Sequence, residues 1–268
     1  LLMRPGRAPL FLPILLIGVG VVLLLRNFLL IENFDILQFW PVLLILAGLQ
    51  LLIRGDVGIT WHSQTFGITR GNVRTGTLEA ISGELDMKLR ALRREGRLIA
   101  GQYTGRSRPS LGVDGDHARL VLQRGQTWPF SLADWEIGLA KDLPWTVLLS
   151  AYLGELDIDL RGLRIEQANV ASGIGDVRVV ASDVPTDDDE QQRADLRACS
   201  TFGNVTLVIP PDVEAIVRVT AKPMARLQID ESRYLMLEPG VYATLRYEQT
   251  PARINAELSS TFGTVRLA

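Results

Sequence analysis

Two apolar stretches near the start of the chain are copies of each other, and this repeat constrains the fold more than any other feature. The first runs from Pro13 to Arg26 and the second from Pro41 to Arg54. At an offset of 28 residues, a proline, a Leu-Leu-Ile triplet, a glycine, a Leu-Leu pair and an arginine recur in register. Such a repeat indicates a duplicated membrane element. We therefore expect a membrane-anchored protein in which the residues after 55 form the anchored domain.

The two apolar runs are long enough to cross a membrane as helices. Residues 10–25 and 36–53 contain no charged side chain, and as helices they span about 24 and 27 Å at 1.5 Å per residue. The first run lengthens through residues 28–31 if Arg26 snorkels to the headgroups. A buried helical hairpin in a soluble protein is the alternative. A cleaved signal peptide is disfavoured because a second apolar run follows at once and no small-x-small site separates them.

Basic residues near the ends of the hairpin predict its orientation. Arg4, Arg7 and Arg54 lie on the side of the termini, against Arg26 alone at the short polar loop of residues 32–35. The positive-inside rule therefore places both termini in the cytoplasm. A single cysteine in 268 residues agrees with a reducing compartment. Small side chains should let the helices pack closely with each other and with a partner's helices, and these are Gly18, Gly20, Ala47 and Gly48.

After residue 55 the pattern changes to short alternating segments that follow a glycine. Each unit has a glycine, usually a small polar or acidic residue, and then apolar residues at every second position, which is typical of a strand with one buried face. The units begin at Gly83, Gly154, Gly175, Gly203 and Gly263. Glycine permits a corner with positive φ or close backbone approach. Recurrent strand–corner units predict the coils of a β-solenoid, and an antiparallel sandwich is the alternative.

These patterns divide the chain into a tail of residues 1–9, a two-helix transmembrane hairpin of residues 10–55 and one all-β, solenoid-like domain of residues 56–268. The best helical candidate in that domain, Met87 to Arg97, is short and breaks at Gly96. The last strand, residues 263–267, is followed only by Ala268. Because an unpaired edge invites association, we expect this strand to be paired, either inside the domain or with a second copy in a homo-oligomer.

The duplicated hairpin, with Trp40-Pro41 opening its second half, resembles the transmembrane region of the LiaI/LiaF-type envelope-stress proteins. The glycine-corner strands resemble the toastrack β-domain of the same family, with Trp145-Thr146-Val147 leading into the units at Gly154 and Ser172-Gly173-Ile174-Gly175. Together the two resemblances cover nearly the whole chain from Leu10 onward.

The resemblance implies a non-enzymatic membrane protein without a cofactor. In this family the best-understood kind restrains a sensor histidine kinase until the envelope is damaged. A regulator or scaffold in envelope-stress signalling is therefore expected, with a membrane protein as its partner. The alternative is an accessory subunit bound permanently to a larger membrane assembly.

Residues that could carry chemistry are few. The chain has His62, His117 and one cysteine, Cys199, too few for a usual Cys/His zinc site. No P-loop, dinucleotide fingerprint or nucleophile elbow occurs. We therefore expect no catalytic, cofactor-binding or metal-binding residues, and a periplasmic enzymatic or ligand-binding domain is disfavoured.

The charged and aromatic clusters each have a purely structural interpretation and a functional one. The row Glu155, Asp157 and Asp159 could gather a cation, but the outer face of a coil is favoured, and the run of residues 187–190 is typical of a solvated loop. A basic cluster is a candidate contact for lipid headgroups or a plain exposed face, and it comprises Lys88, Arg90, Arg93, Arg94 and Arg97. It lacks the interleaved aromatics that nucleic-acid binding needs.

Four large aromatic residues occur close together in the sequence. We expect them to seal an end or a seam of the solenoid rather than line a ligand groove, and these are Trp128, Phe130, Trp135 and Trp145.

Overall fold

The computed structural model describes residues 63–268 apart from residues 84, 94, 105–108, 124–134, 186–192, 222–223 and 248–252. The chain divides into two compact units, Leu1–Val57 and Gly58–Ala268, and the described residues belong to the second. Among the described residues, no helix has the length and apolar character that a membrane crossing requires. The tail of residues 1–9 and the hairpin of residues 10–55 lie outside the described residues, so the proposed domain limits stay predictions.

The described part of the chain is all-β, as the alternation predicted. Its first nine strands are β1 (Ser63–Thr69), β2 (Thr75–Gly83), β3 (Met87–Ala91), β4 (Arg97–Thr104), β5 (Ser110–Asp114), β6 (His117–Gln123), β7 (Trp135–Leu139), β8 (Pro144–Leu153) and β9 (Leu156–Asp159). The next nine are β10 (Arg164–Ile174), β11 (Val177–Val180), β12 (Ala194–Phe202), β13 (Val205–Val208), β14 (Glu214–Ala221), β15 (Ala225–Ile229), β16 (Tyr234–Glu238), β17 (Val241–Thr244) and β18 (Arg253–Leu267).

The strands form two sheets, and the chain crosses between them at the glycine corners. In sheet A the neighbours run β1, β4, β7, β3, β9, β11, β13, β18, β15. In sheet B they run β5, β6, β2, β8, β10, β12, β18, β14, β17, β16. The long strand β18 belongs to both sheets because it passes through a corner at Gly263 without a break in its pairing.

Successive coils pair in parallel through the middle of both sheets, which confirms the solenoid-like arrangement and argues against an antiparallel sandwich. In sheet B, for example, Val170 of β10 lies between Leu149 of β8 and Ala198 of β12. Parallel neighbours in register point the same way, so alternate apolar residues of every coil meet in one core. Antiparallel pairs occur only towards the margins of the described sheets, where β1, β4, β5, β16 and β17 lie.

The last strand is paired inside the domain, but it does not end the solenoid. β18 lies between β12 and β14 in sheet B and between β13 and β15 in sheet A. The expectation that residues 263–267 are paired is therefore confirmed, and of the two alternatives it is pairing inside the domain that the structure shows. The coil outside β18 is built by β14 and β15, which come earlier in the chain. After β17 the chain therefore turns back, and β18 inserts between two earlier coils. One of these coils contains β12 and β13, and the other contains β14 and β15.

Four of the five predicted glycine corners stack directly on one another, whereas Leu85 and not Gly83 forms the corner next to Gly154. Gly154, Gly175, Gly203 and Gly263 have φ values of 159°, 144°, 156° and 152°. A Cβ atom built at Gly203 would overlap the carbonyl oxygen of Gly175. Serine hydroxyls fasten each corner to the previous one, since Ser200 Oγ donates to the Gly175 carbonyl at 2.9 Å. Only a residue without a side chain fits these positions.

Candidate functional site

The residues predicted to pack the transmembrane helices, Gly18, Gly20, Ala47 and Gly48, lie outside the described residues. The basic cluster is mostly described. Two of its members, Lys88 and Arg90, are exposed on the outer face of sheet A in β3. The exposed Arg93 and Arg97 lie in the following turn and at the start of β4, and Arg94 is not described.

Carboxylates from neighbouring coils interrupt this basic cluster. Across sheet A the register places Glu136, Lys88, Asp157 and Arg178 side by side, so that acidic and basic residues alternate. The Asp157 carboxylate lies 3.3 Å from Arg178 Nη1 and 3.8 Å from Arg90 Nη2. Such exposed pairs add little stability, but they lower the net positive charge that a lipid surface would meet. Headgroup contact by the cluster stays a prediction.

The carboxylates of Glu155, Asp157 and Asp159 lie on the outer face of a coil, at β9 and just before it. This is the structural interpretation that the sequence favoured. Asp159 Oδ2 accepts a hydrogen bond from Arg161 Nη2 at 2.6 Å, and Asp159 Oδ1 accepts one from Arg161 Nε at 2.9 Å. The hydrogen bond from Arg161 lowers the pKa of Asp159 below its ordinary value, against the opposing effect of partial burial. Among the described residues, no group of three or more acidic, histidine or cysteine side chains is arranged to hold a metal ion.

Polar residues at the corners bind backbone amides of the next coil. Asp86 Oδ1 accepts from the Glu155 amide at 2.7 Å, and Asp176 Oδ1 accepts from the Asn204 amide at 2.7 Å. Asn204 Oδ1 in turn accepts from the Thr264 amide at 2.9 Å. For Asp176 and Asn204 the sequence signal was the polar residue after a corner glycine, whereas Asp86 follows Leu85. The role of these residues in joining coils was missed.

Two side chains singled out in the sequence have structural roles. His117 is a half-buried residue at the start of β6, and its Nδ1 and Nε2 lie 2.8 and 3.1 Å from the hydroxyls of Thr75 and Thr77. Cys199 is half-buried, and burial raises the pKa of its thiol, which disfavours the reactive thiolate.

The two described members of the aromatic cluster belong to the core. Trp135 and Trp145 are both fully buried, and Trp145 Nε1 donates to the carbonyl of Ala140 at 2.8 Å. Trp128 and Phe130 lie outside the described residues. The described pair therefore lines no open groove.

Apolar surfaces that the sequence analysis did not single out are exposed at two places. The first, which we term the corner ladder, is an in-register row made of Leu153, Ile174, Phe202 and Phe262. Its two phenyl rings stack with centroids 4.7 Å apart. The second, which we term the end patch, comprises Met224, Leu227, Leu235, Met236, Leu237 and Leu245. Alternation predicts which face of a strand is apolar, but not which strand lacks a neighbour to cover it.

Comparison with protein families agrees with this architecture. Residues 10–52 match the model of the LiaI-LiaF-like transmembrane region, and residues 65–198 match the N-terminal domain of toast_rack. The fold and these matches define a membrane-anchored protein with an all-β domain. The second match covers half of the chain, so the chain belongs to the toast_rack family, with the LiaI-LiaF-like membrane region in front of the β-domain.

A solved structure shows the same fold. A candidate cell adhesion protein from Clostridium sporogenes ATCC 15579 is similar with a TM-score of 0.65 at 14% identity, over 77% of this chain and 98% of that chain. A candidate adhesin from Bacteroides fragilis NCTC 9343 aligns over 78% of this chain and 98% of its own length, with a TM-score of 0.32 and 11% identity. A comparison with curated proteins finds no match.

Proposed function

We propose that this chain is a non-enzymatic regulator in envelope-stress signalling, which restrains a sensor histidine kinase through protein–protein contacts. The observation that carries the proposal is a β-domain with exposed apolar surfaces behind a LiaI-LiaF-like membrane region. Contiguous exposed apolar patches mark interaction surfaces. The hydrogen-bonded corners and parallel coils support a stiff body that presents such a surface in a fixed geometry.

The mechanism that we propose is lateral contact within the membrane. The helices pack through Gly18, Gly20, Ala47 and Gly48 against each other and against helices of the kinase. The β-domain then binds the cytoplasmic part of the kinase in one of its two states. A perturbation of the membrane changes the helix contacts and therefore shifts the equilibrium between these states.

This mechanism requires the β-domain to lie in the cytoplasm, at the inner face of a bacterial inner membrane. We expect a reporter fused after Ala268 to behave as cytoplasmic, because Arg4, Arg7 and Arg54 outnumber Arg26. The measurement is a paired fusion to green fluorescent protein and to alkaline phosphatase. Phosphatase activity without fluorescence would place the domain outside the cytoplasm and rule out contact with the catalytic part of a kinase.

Purification of the tagged full chain in mild detergent, followed by mass spectrometry, tests the partner. We expect a sensor histidine kinase to co-purify, and we expect Gly48→Leu to reduce its yield because the larger side chain separates closely packed helices. The weakening should be on the order of 1 kcal/mol, or about fivefold. Ile45→Leu, which conserves volume in the same apolar run, serves as the matched control and should leave the yield unchanged.

The outcome separates the two functional classes. Several subunits of one complex in fixed stoichiometry, without a kinase, would contradict the regulator and favour a permanently bound accessory subunit. Equal kinase yields from the parent and Gly48→Leu would contradict the proposed helix contact while leaving the kinase as partner.

A further inference from the structure

Exposed apolar side chains are concentrated at one end of the β-domain. Of the fourteen large apolar side chains that are exposed among the described residues, six form the end patch, which lies within residues 224–245. Solenoids normally carry polar caps at their ends, because an uncovered final coil exposes the core. The end patch is therefore an unusual surface for a domain that works alone.

The end patch lies where both sheets stop. β15 is the last strand of sheet A, and among the described strands it pairs only with β18. β16 is the last strand of sheet B, and within the same set it pairs only with β17. Edges of this kind are usually protected by charges, prolines or bulges. β15 has the sequence Ala-Arg-Leu-Gln-Ile, with Arg226 as its one charge, so it is weakly protected.

The core is unfinished at this edge. Leu227 of β15 lies in parallel register with Val265 of β18, so the two side chains share the inner face of sheet A. Val265 is 0% exposed, because strands flank it on both sides, whereas Leu227 is 39% exposed. One more strand beside β15 would bury Leu227 as β15 buries Val265.

The sequence of β15 fits a second copy of itself as that strand. Leu227 is the central residue of Ala225–Ile229. In an antiparallel pair related by a two-fold axis at Leu227, each Arg226 faces Gln228 and Ala225 faces Ile229, so like charges do not meet. β16 has a bulge between Met236 and Glu238 in its pairing with β17, which protects that edge. The edge of β15 is self-complementary, and a two-fold contact through it closes the assembly, whereas a head-to-tail contact would continue into a filament.

We propose that two copies of this chain associate end to end through the end patch, with β15 pairing antiparallel to β15 of the second copy across Leu227. Sheet A then continues from one copy into the other, and the apolar side chains at the two ends cover each other. The dimer does not depend on the identity of the kinase partner, so its failure would leave the proposed function standing.

Cross-linking of the full chain in mild detergent tests the contact directly. The native thiol is removed by Cys199→Ser, and Leu227→Cys then places one thiol at the proposed two-fold axis. Oxidation with copper–phenanthroline should convert most of the protein into a disulfide-linked dimer, because residues directly opposite in an antiparallel pair have Cβ atoms only about 4.5–5.5 Å apart. The matched control is Val113→Cys in the same background, since Val113 is 56% exposed on β5, the edge strand at the other end of sheet B. It should yield no dimer.

A second variant separates this contact from association through the membrane segment. Leu227→Arg brings two like charges together at the axis and should weaken dimerisation at least tenfold, measured by mass photometry over a dilution series. Val113→Arg should leave it unchanged. The proposal is overturned if Leu227→Cys links to another protein, if it links to Val113→Cys when the two are mixed, if the chain stays monomeric, or if the Leu227→Arg dimer persists.

Discussion

Deletion of residues 260–268 should abolish folding of the β-domain, although the deletion removes only the last nine residues of the chain. The deleted segment contains Val265 and Leu267, which are 0% and 1% exposed. Their burial contributes roughly 1.5–3 kcal/mol each, against a total stability of about 5–15 kcal/mol for a typical domain. The deletion also removes the strand between β13 and β15, so both lose their backbone partners in sheet A.

Limited proteolysis of the full chain in mild detergent measures this effect. The parent should yield a protease-resistant β-domain, and the truncated chain should be degraded throughout that domain. Arg266→Ala is the matched control, because Arg266 lies on the deleted strand but points outwards and is exposed; its effect should stay within about 0.5 kcal/mol. A truncated chain that resists proteolysis as the parent does would show that β18 is dispensable and that its central position in the two sheets is wrong.

Local sequence signals predicted the coils but not their order. The units at Gly154, Gly175 and Gly203 were recognised because period-2 alternation and a glycine corner are local features. The position of β18 was missed, since its neighbours β12 to β15 lie earlier in the chain and nothing in residues 253–267 indicates which coils they join. The final residue of a chain is not necessarily at the end of a solenoid, and here the chain returns to the interior.

The difference between local sequence signals and non-local contacts also explains why the basic cluster was recognised and its acidic partners were not. The basic cluster was recognised because its members are close in sequence, whereas the partner carboxylate Asp157 lies more than sixty residues beyond Arg90 and meets it only through the pairing of β3 with β9. The end patch escaped recognition for a related reason. Leu227 has the same alternation as a buried strand residue, and its exposure depends on the absence of a described strand beside β15. The alternation of side chains can be read from the sequence of one strand, but the neighbours of that strand in a sheet come from distant parts of the chain.

Gly203→Ala should be among the most destabilising single substitutions in the β-domain. Gly203 has a φ of 156° and lies directly over the corner at Gly175. An alanine there is strained by the backbone conformation, which costs on the order of 1–3 kcal/mol. Its Cβ would also overlap the Gly175 carbonyl, which is backbone and cannot move without separating the coils. We expect a loss of roughly 3 kcal/mol or more and a fall in the melting temperature of about 10 °C.

Gly112→Ala distinguishes this effect from a general cost of replacing glycine. Gly112 lies on the exposed strand β5, and the nearest atom to an added Cβ is the Arg119 carbonyl oxygen at 3.9 Å. The alanine is therefore accommodated, and its reduced freedom in the unfolded chain offsets small costs in the folded state. We expect a change within about 0.5 kcal/mol. Melting temperatures of both variants, followed by differential scanning fluorimetry of the full chain, check the pair. If Gly203→Ala melts within about 2 °C of the parent, the corners have room for a side chain and the close stacking of the coils at Gly175 and Gly203 is wrong.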